Sequence, residues 1–146
     1  MAENTSRTTL EQGRAAFAYK AAEAGRDNLG TKSSEYKSYV KKLPMLIKTN
    51  GLGAAISFAF AKGNGKNGKN GIPDIGKTWG LIYLQIEEWL KNNWVLADFK
   101  KDETLMQNLL RLETPEYRAT TIEVLALLNW MRRFAEGLID KSDSDE

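Results

Sequence analysis

At 146 residues the chain has room for one substantial hydrophobic core and little for two. Its 42% apolar content is that of a globular protein, and the lack of cysteine and histidine excludes disulfides, thiolate and imidazole metal sites, and histidine proton shuttles. A polar start and the lack of any long uncharged apolar run predict neither a secretory leader nor a transmembrane helix, hence a cytoplasmic protein away from membranes. The formal net charge of +2 conceals an uneven spread. Residues 1–80 carry 13 Lys/Arg against 6 Asp/Glu, a net of +7, whereas residues 81–146 carry 8 against 13, a net of −5. The first half would attract a polyanion and the second a basic partner; ordinary surface variation, interleaved by folding, is the plainer alternative.

Residues 1–8 read as a flexible N-terminus, and 9–139 as a single helical domain. The first helix is expected from Thr9 to about Gly25, with Thr8 and Glu11 as a capping box. Leu10, Gly13, Phe17, Ala21 and Ala24 share a face whose small residues allow close approach of another helix. A loop spans Asp27 to Lys32. Ser33 or Ser34 caps a second helix with Tyr36, Val40 and Leu43 on one face and Lys37 and Lys41 on the next. Pro44 starts a new helix or kinks this one. Thr49-Asn50-Gly51 is a break, followed by a buried apolar helix over Leu52–Ala61.

Gly63 to Gly71 alternates glycine, asparagine and lysine and predicts an exposed mobile loop. Trp79, Ile82, Tyr83, Ile86, Trp89 and Leu90 have helical spacing within Thr78–Lys91. Trp94 to Phe99 extends the core as a loop or short strand. Leu105, Leu109 and Leu112 mark a short helix. Thr114 is the cap and Pro115 the first residue of the longest helix, Tyr117–Ile139, whose centre holds Ile122, Val124, Leu125, Leu127, Leu128 and Met131. Residues 140–146 form an acidic tail. The sum is an all-α bundle of about five to six helices.

Gly71-Ile72-Pro73-Asp74-Ile75-Gly76-Lys77-Thr78 fits the phosphate-loop pattern, in which backbone amides cradle phosphates, lysine neutralises them and threonine holds magnesium. Trp94-Val95-Leu96-Ala97-Asp98 imitates the companion strand ending in an aspartate. A phosphate loop follows a buried strand, however, and here glycine, asparagine and lysine precede it. A loop entering a helix, with Thr78 as cap, is the favoured reading; a nucleotide binder is the alternative. Among the acids, Glu87 and Glu88 diverge on a helix and Glu123 belongs at a helix edge, so paired-carboxylate catalysis has no support and no enzyme activity, cofactor or metal is expected.

The basic residues carry more. Lys37, Lys41, Lys42 and Lys48 cluster around Tyr39, and Asn50 with the backbone of Gly51 and Gly53 offers a phosphate site beside them. Lys62, Lys66 and Lys69 extend this patch into the loop. Arg132 and Arg133 leave their helix at its apolar flanks, where an arginine head can meet phosphate or carboxylate. Arg14 and Lys20 are outlying candidates. Tyr19, Tyr36, Tyr39 and Trp130 stand near charge and could stack on bases, although aromatics at helical spacing are more often core.

Two runs carry a resemblance. Tyr39-Val40-Lys41-Lys42-Leu43-Pro44-Met45-Leu46-Ile47-Lys48-Thr49-Asn50-Gly51-Leu52 and Ala126-Leu127-Leu128-Asn129-Trp130-Met131-Arg132-Arg133-Phe134-Ala135 resemble the small helical subunit of the type III-B (Cmr) CRISPR RNA-guided effector complex, over about Leu10 to Ile139. The resemblance implies an all-helical, non-catalytic structural subunit in antiviral defence. It implies packing along a ribonucleoprotein filament against the complex's backbone subunit, with neighbouring copies of itself close by. It further implies contact with target RNA through phosphates rather than bases, by Lys37, Lys41, Lys42, Lys48, Arg132 and Arg133. A protein–protein spacer without RNA contact, stacking positive against negative surfaces, is the competing reading.

Overall fold

The computed structural model describes residues 2–94 and 97–140, and six α-helices make up the fold: α1 Ala2–Leu29, α2 Ser33–Asn50, α3 Leu52–Gly63, α4 Thr78–Asn93, α5 Leu105–Arg111 and α6 Thr114–Leu138. Two 3-10 turns, Gly30–Lys32 and Lys66–Gly68, complete it. Among the described residues there is no strand, only one antiparallel bridge between Asn64 and Pro73. The helical bundle expected from the apolar spacing is therefore the observed architecture. The predicted tail beyond Asp140, and Val95 and Leu96 of the expected core extension, lie outside the described residues.

Several predicted boundaries shift. Helix α1 starts at Ala2, so Thr8 lies within it rather than at its start, and its 28 residues exceed the 25 of α6, which was expected to be longest. Neither Ser33 nor Ser34 caps α2; Lys32 occupies that position without a side-chain bond, because the 3-10 turn already supplies the approach. Pro44 sits within α2, which runs on to Asn50 despite the missing amide. The break at Gly51 is observed: its φ of 91° ends α2, and its amide donates to the Ile47 carbonyl at 2.8 Å. Glu113 rather than Thr114 precedes the first turn of α6.

Helix α4 is the hydrophobic axis. Trp79, Ile82, Tyr83, Ile86, Trp89 and Leu90 are all buried, as their spacing requires. Around it α1 packs on α6, α2 on α6 and α1, and α3 on α4. The α3–α4 contact is backbone against backbone. A Cβ on Gly63 would stand 2.1 Å from the Gly80 nitrogen, and one on Gly80 would stand 2.1 Å from the Asp74 carbonyl oxygen, so only glycine fits at either position. The apolar run of α3 is buried on one side only, at Leu52, Ala55, Ile56 and Ala59, while Phe58 reaches solvent. In α6 the predicted core residues Val124, Leu127, Leu128 and Met131 are buried, but Ile122 is 69% exposed because it faces away from both α1 and α2.

Buried polar groups bind the helices together. The Tyr36 hydroxyl donates to Gln85 Oε1 at 2.8 Å, and Gln85 Nε2 donates to the Ala21 carbonyl at 3.0 Å, joining α2, α4 and α1. Burial holds the Tyr36 phenol far above the usual tyrosine range, so it stays a neutral donor. The short α5 is fixed by a capping box between Thr104 and Gln107, and by Glu87 accepting from the Leu105 amide at 2.7 Å.

Candidate nucleic-acid interface

The bundle sorts the predicted basic residues into separate environments. On α2, a rotation of about 100° per residue places Lys37, Lys41, Pro44 and Lys48 on one stripe and sets Lys42 well off it. The stripe faces α6. There Lys41, Pro44 and Lys48 meet Leu125, Ala126, Asn129 and Arg132 around a cleft of about 460 Å³. Arg132 Nη2 donates to Asn129 Oδ1 at 3.3 Å, which holds the guanidinium over its own helix. Three cations, one amide and an aliphatic floor thus share one groove, and no carboxylate lines it. Lys37 stands one helical turn from Lys41 on the same stripe but does not line the cleft.

Lys42 and Lys62 belong to a second cleft, of about 360 Å³, on the other flank of α2. Lys32, Glu35 and Tyr39 line it with Lys42, Phe58 and Lys62 come from α3, and Lys77, Thr78 and Trp79 from the start of α4. Tyr39 stacks on Trp79, with ring centroids 4.5 Å apart and planes 10° from parallel, and Phe58 meets the indole edge-on at 5.3 Å. Lys62 Nζ lies 5.9 Å from the Phe58 ring centre. Burial, and then the nearby Glu35 carboxylate, raise the Tyr39 phenol above its ordinary range.

The remaining candidates sit elsewhere. Arg133 lies 5.9 Å over Trp130, outside both clefts. Lys20 on α1, and Lys66 and Lys69 in the exposed loop, line neither. Arg14 is committed to the interior: its Nε and Nη2 donate to Glu123 at 2.9 and 2.7 Å. That carboxylate also accepts from Trp89 Nε1 at 2.7 Å and is only 3% exposed, so the expected placement of Glu123 at a helix edge is corrected to a buried hub linking α1, α4 and α6. The hydrogen bonds to Glu123 raise the Arg14 guanidinium further above its usual range, so it is permanently charged.

Other expectations change as well. The Gly51 and Gly53 amides are not available to phosphate, since Gly51 donates to Ile47 and Gly53 donates to the Tyr117 hydroxyl at 2.7 Å. Tyr36 is fully buried, so of its two readings the core one holds and base stacking does not. At the phosphate-loop pattern, residues 63–66 pair with 72–74 in place of a strand, Lys77 Nζ donates to the Asn64 carbonyl at 2.8 Å, and the Thr78 hydroxyl donates to Glu35 at 3.0 Å. Thr78 opens α4 without capping it. Two cleft residues escaped the basic-patch reading: Lys77, hidden in that motif, and Lys32, treated as the end of a loop.

These features define the class: a small all-α bundle that carries, among the described residues, a cationic cleft on each flank of its second helix. The family model described as CRISPR-associated protein (Cas_Cmr5) matches residues 10–138, and the chain belongs to that family. A relative, the CRISPR system Cmr subunit Cmr5 of Thermus thermophilus, is 30% identical over 126 residues, covering 86% of this chain and 94% of that protein. The crystal structure of a CRISPR-associated Cmr5 family protein from the same organism superposes with a TM-score of 0.65 at 24% identity, covering 90% of this chain and 97% of that one. It shares the fold. The resemblance carried by residues 39–52 and 126–135 thus pointed to the right family.

Proposed function

We propose that this protein is a non-catalytic structural subunit of a CRISPR RNA-guided effector ribonucleoprotein in the cytoplasm, and that it holds target RNA by its phosphates in the α2–α6 cleft. The observation that carries the reading is the convergence of Lys41, Lys48 and Arg132, from two helices distant in sequence, on one groove. Lysine and arginine beside an aliphatic floor favour a phosphate backbone without reading bases. With no carboxylate, histidine or cysteine in the cleft, the groove offers binding groups and no acid–base pair.

Packing against the backbone subunit is supported by a second surface. Gly51, Leu52, Tyr117, Arg118, Thr121 and Ile122 border an almost wholly apolar depression of about 350 Å³, next along α6 from the basic cleft. An exposed isoleucine beside such a depression suits a protein neighbour. Photo-crosslinking of target RNA in the assembled complex tests the reading. Crosslinks to α2 and α6 at the cleft are expected. Crosslinks confined to other subunits would leave the protein a spacer between protein neighbours.

A further inference from the structure

The cleft on the opposite flank of α2 has a composition that phosphate contact alone does not require. Four exposed lysines, Lys32, Lys42, Lys62 and Lys77, surround three aromatic rings. None of the four forms an ion pair with a carboxylate among the described residues; Lys77 bonds a backbone carbonyl and Lys62 leans toward the Phe58 ring. Glu35 is the one acid in the lining, and its carboxylate accepts from the Thr78 hydroxyl at 3.0 Å. The lining therefore keeps a net charge of +3, from four cations and one anion. The rings are held rigidly: Trp79 is buried to 7% exposure and stacked on Tyr39, so it braces the more exposed Tyr39 and Phe58, the latter at 38%.

We propose that this cleft is a nucleoside-phosphate site, which takes a base against Phe58 and Tyr39 and its phosphate among Lys32, Lys42, Lys62 and Lys77. A simple anion would use the lysines and gain nothing from an exposed phenyl ring. A purely apolar ligand would leave four ammonium groups facing it. A nucleotide satisfies both, since every base has a stacking face and every nucleotide a phosphate. The ligand is either a free nucleotide or one residue of a single strand, which share this chemistry. The site uses no residue of α6, so it stands or falls separately from the α2–α6 cleft.

The test titrates the full chain with ATP, with a short single-stranded oligoribonucleotide and with inorganic triphosphate, by calorimetry and tryptophan fluorescence. Nucleotide and oligomer should each bind roughly tenfold more tightly than triphosphate, the scale of one stacked base. Phe58→Ala should erase the difference between ATP and triphosphate and leave triphosphate affinity unchanged. Lys42→Glu with Lys62→Glu should weaken all three probes by about tenfold or more. Lys41→Ala with Lys48→Ala should weaken binding of the oligomer through the α2–α6 cleft and leave the Phe58-dependent preference for ATP over triphosphate in place. In the Lys41→Ala, Lys48→Ala protein, tighter binding of ATP would identify a free nucleotide as the ligand, and tighter binding of the oligomer a strand. These side chains are all exposed, and circular dichroism checks that each variant keeps its helices. Equal affinity for triphosphate and nucleotide, an unaffected Phe58→Ala protein, or no binding at millimolar concentration would overturn the proposal.

Discussion

Glu123 occupies a position where an unpaired carboxylate would be strongly unfavourable, and three donors from Arg14 and Trp89 satisfy it. Removing the acid would leave a guanidinium, only 14% exposed, and an indole N–H without their acceptor. Glu123→Ala should lower stability by about 3–5 kcal/mol, the usual cost of breaking a buried pair. Glu123→Gln, which keeps the shape and loses the charge, should fall between that variant and the native protein. Urea unfolding measures both, and a loss below about 1 kcal/mol for Glu123→Ala would show that water reaches the pair. Nothing local in the sequence marked this hub. Arg14 and Glu123 are 109 residues apart, and Glu123 has isoleucine and valine beside it, the pattern of an ordinary amphipathic helix. Asn108 was equally silent. It is fully buried, accepts from the Lys100 amide at 2.8 Å and donates to the Lys100 carbonyl at 3.0 Å. Asn108→Ala should cost about 1–3 kcal/mol and strip the Lys100 amide of its protection in hydrogen exchange. Unchanged exchange there would show that the bond does not hold the loop.

At the scale of elements, apolar periodicity made the helices legible and left their neighbours unspecified. The spacing of Trp79 to Leu90 predicted both α4 and its burial, because α4 touches α1, α2 and α3 and little of its surface escapes. The same reasoning failed at Ile122, since a helix covered on two sides cannot bury every apolar residue it carries. It also misjudged Gly63. Read as the start of a glycine-rich loop, this residue is instead the buried last turn of α3, pressed on Gly80. Gly80→Ala should therefore cost about 3 kcal/mol, the upper range for an overpacked contact, by pushing the Asp74 turn and the end of α3 away from α4. A melting temperature within a degree or two of the native value would show that the crossing relaxes easily.

For the whole molecule, the charge asymmetry along the chain was a real but incomplete signal. The expected patch of lysines on α2 exists in sequence, yet helical rotation divides it, sending Lys41 and Lys48 toward α6 and Lys42 toward α3 and α4. Arg132 comes from the acidic half, so no count by halves could have placed it in the same groove. Family membership was readable from residues 39–52 and 126–135, whereas the partition of the cations required the packing of α2 against α6. The proposed function depends on that partition: it assigns the strand's phosphates to one groove and a protein neighbour to the apolar depression at Ile122.

The most direct test compares target-RNA binding by the assembled complex across a range of salt, with the native protein and with Lys41→Ala, Lys48→Ala and Arg132→Ala combined. Three lost phosphate contacts should reduce the slope of log affinity against log salt by about 2 for each variant subunit engaged, with the loss in affinity largest at low salt. A fully assembled variant complex with native affinity and native slope would contradict the α2–α6 cleft as the RNA contact.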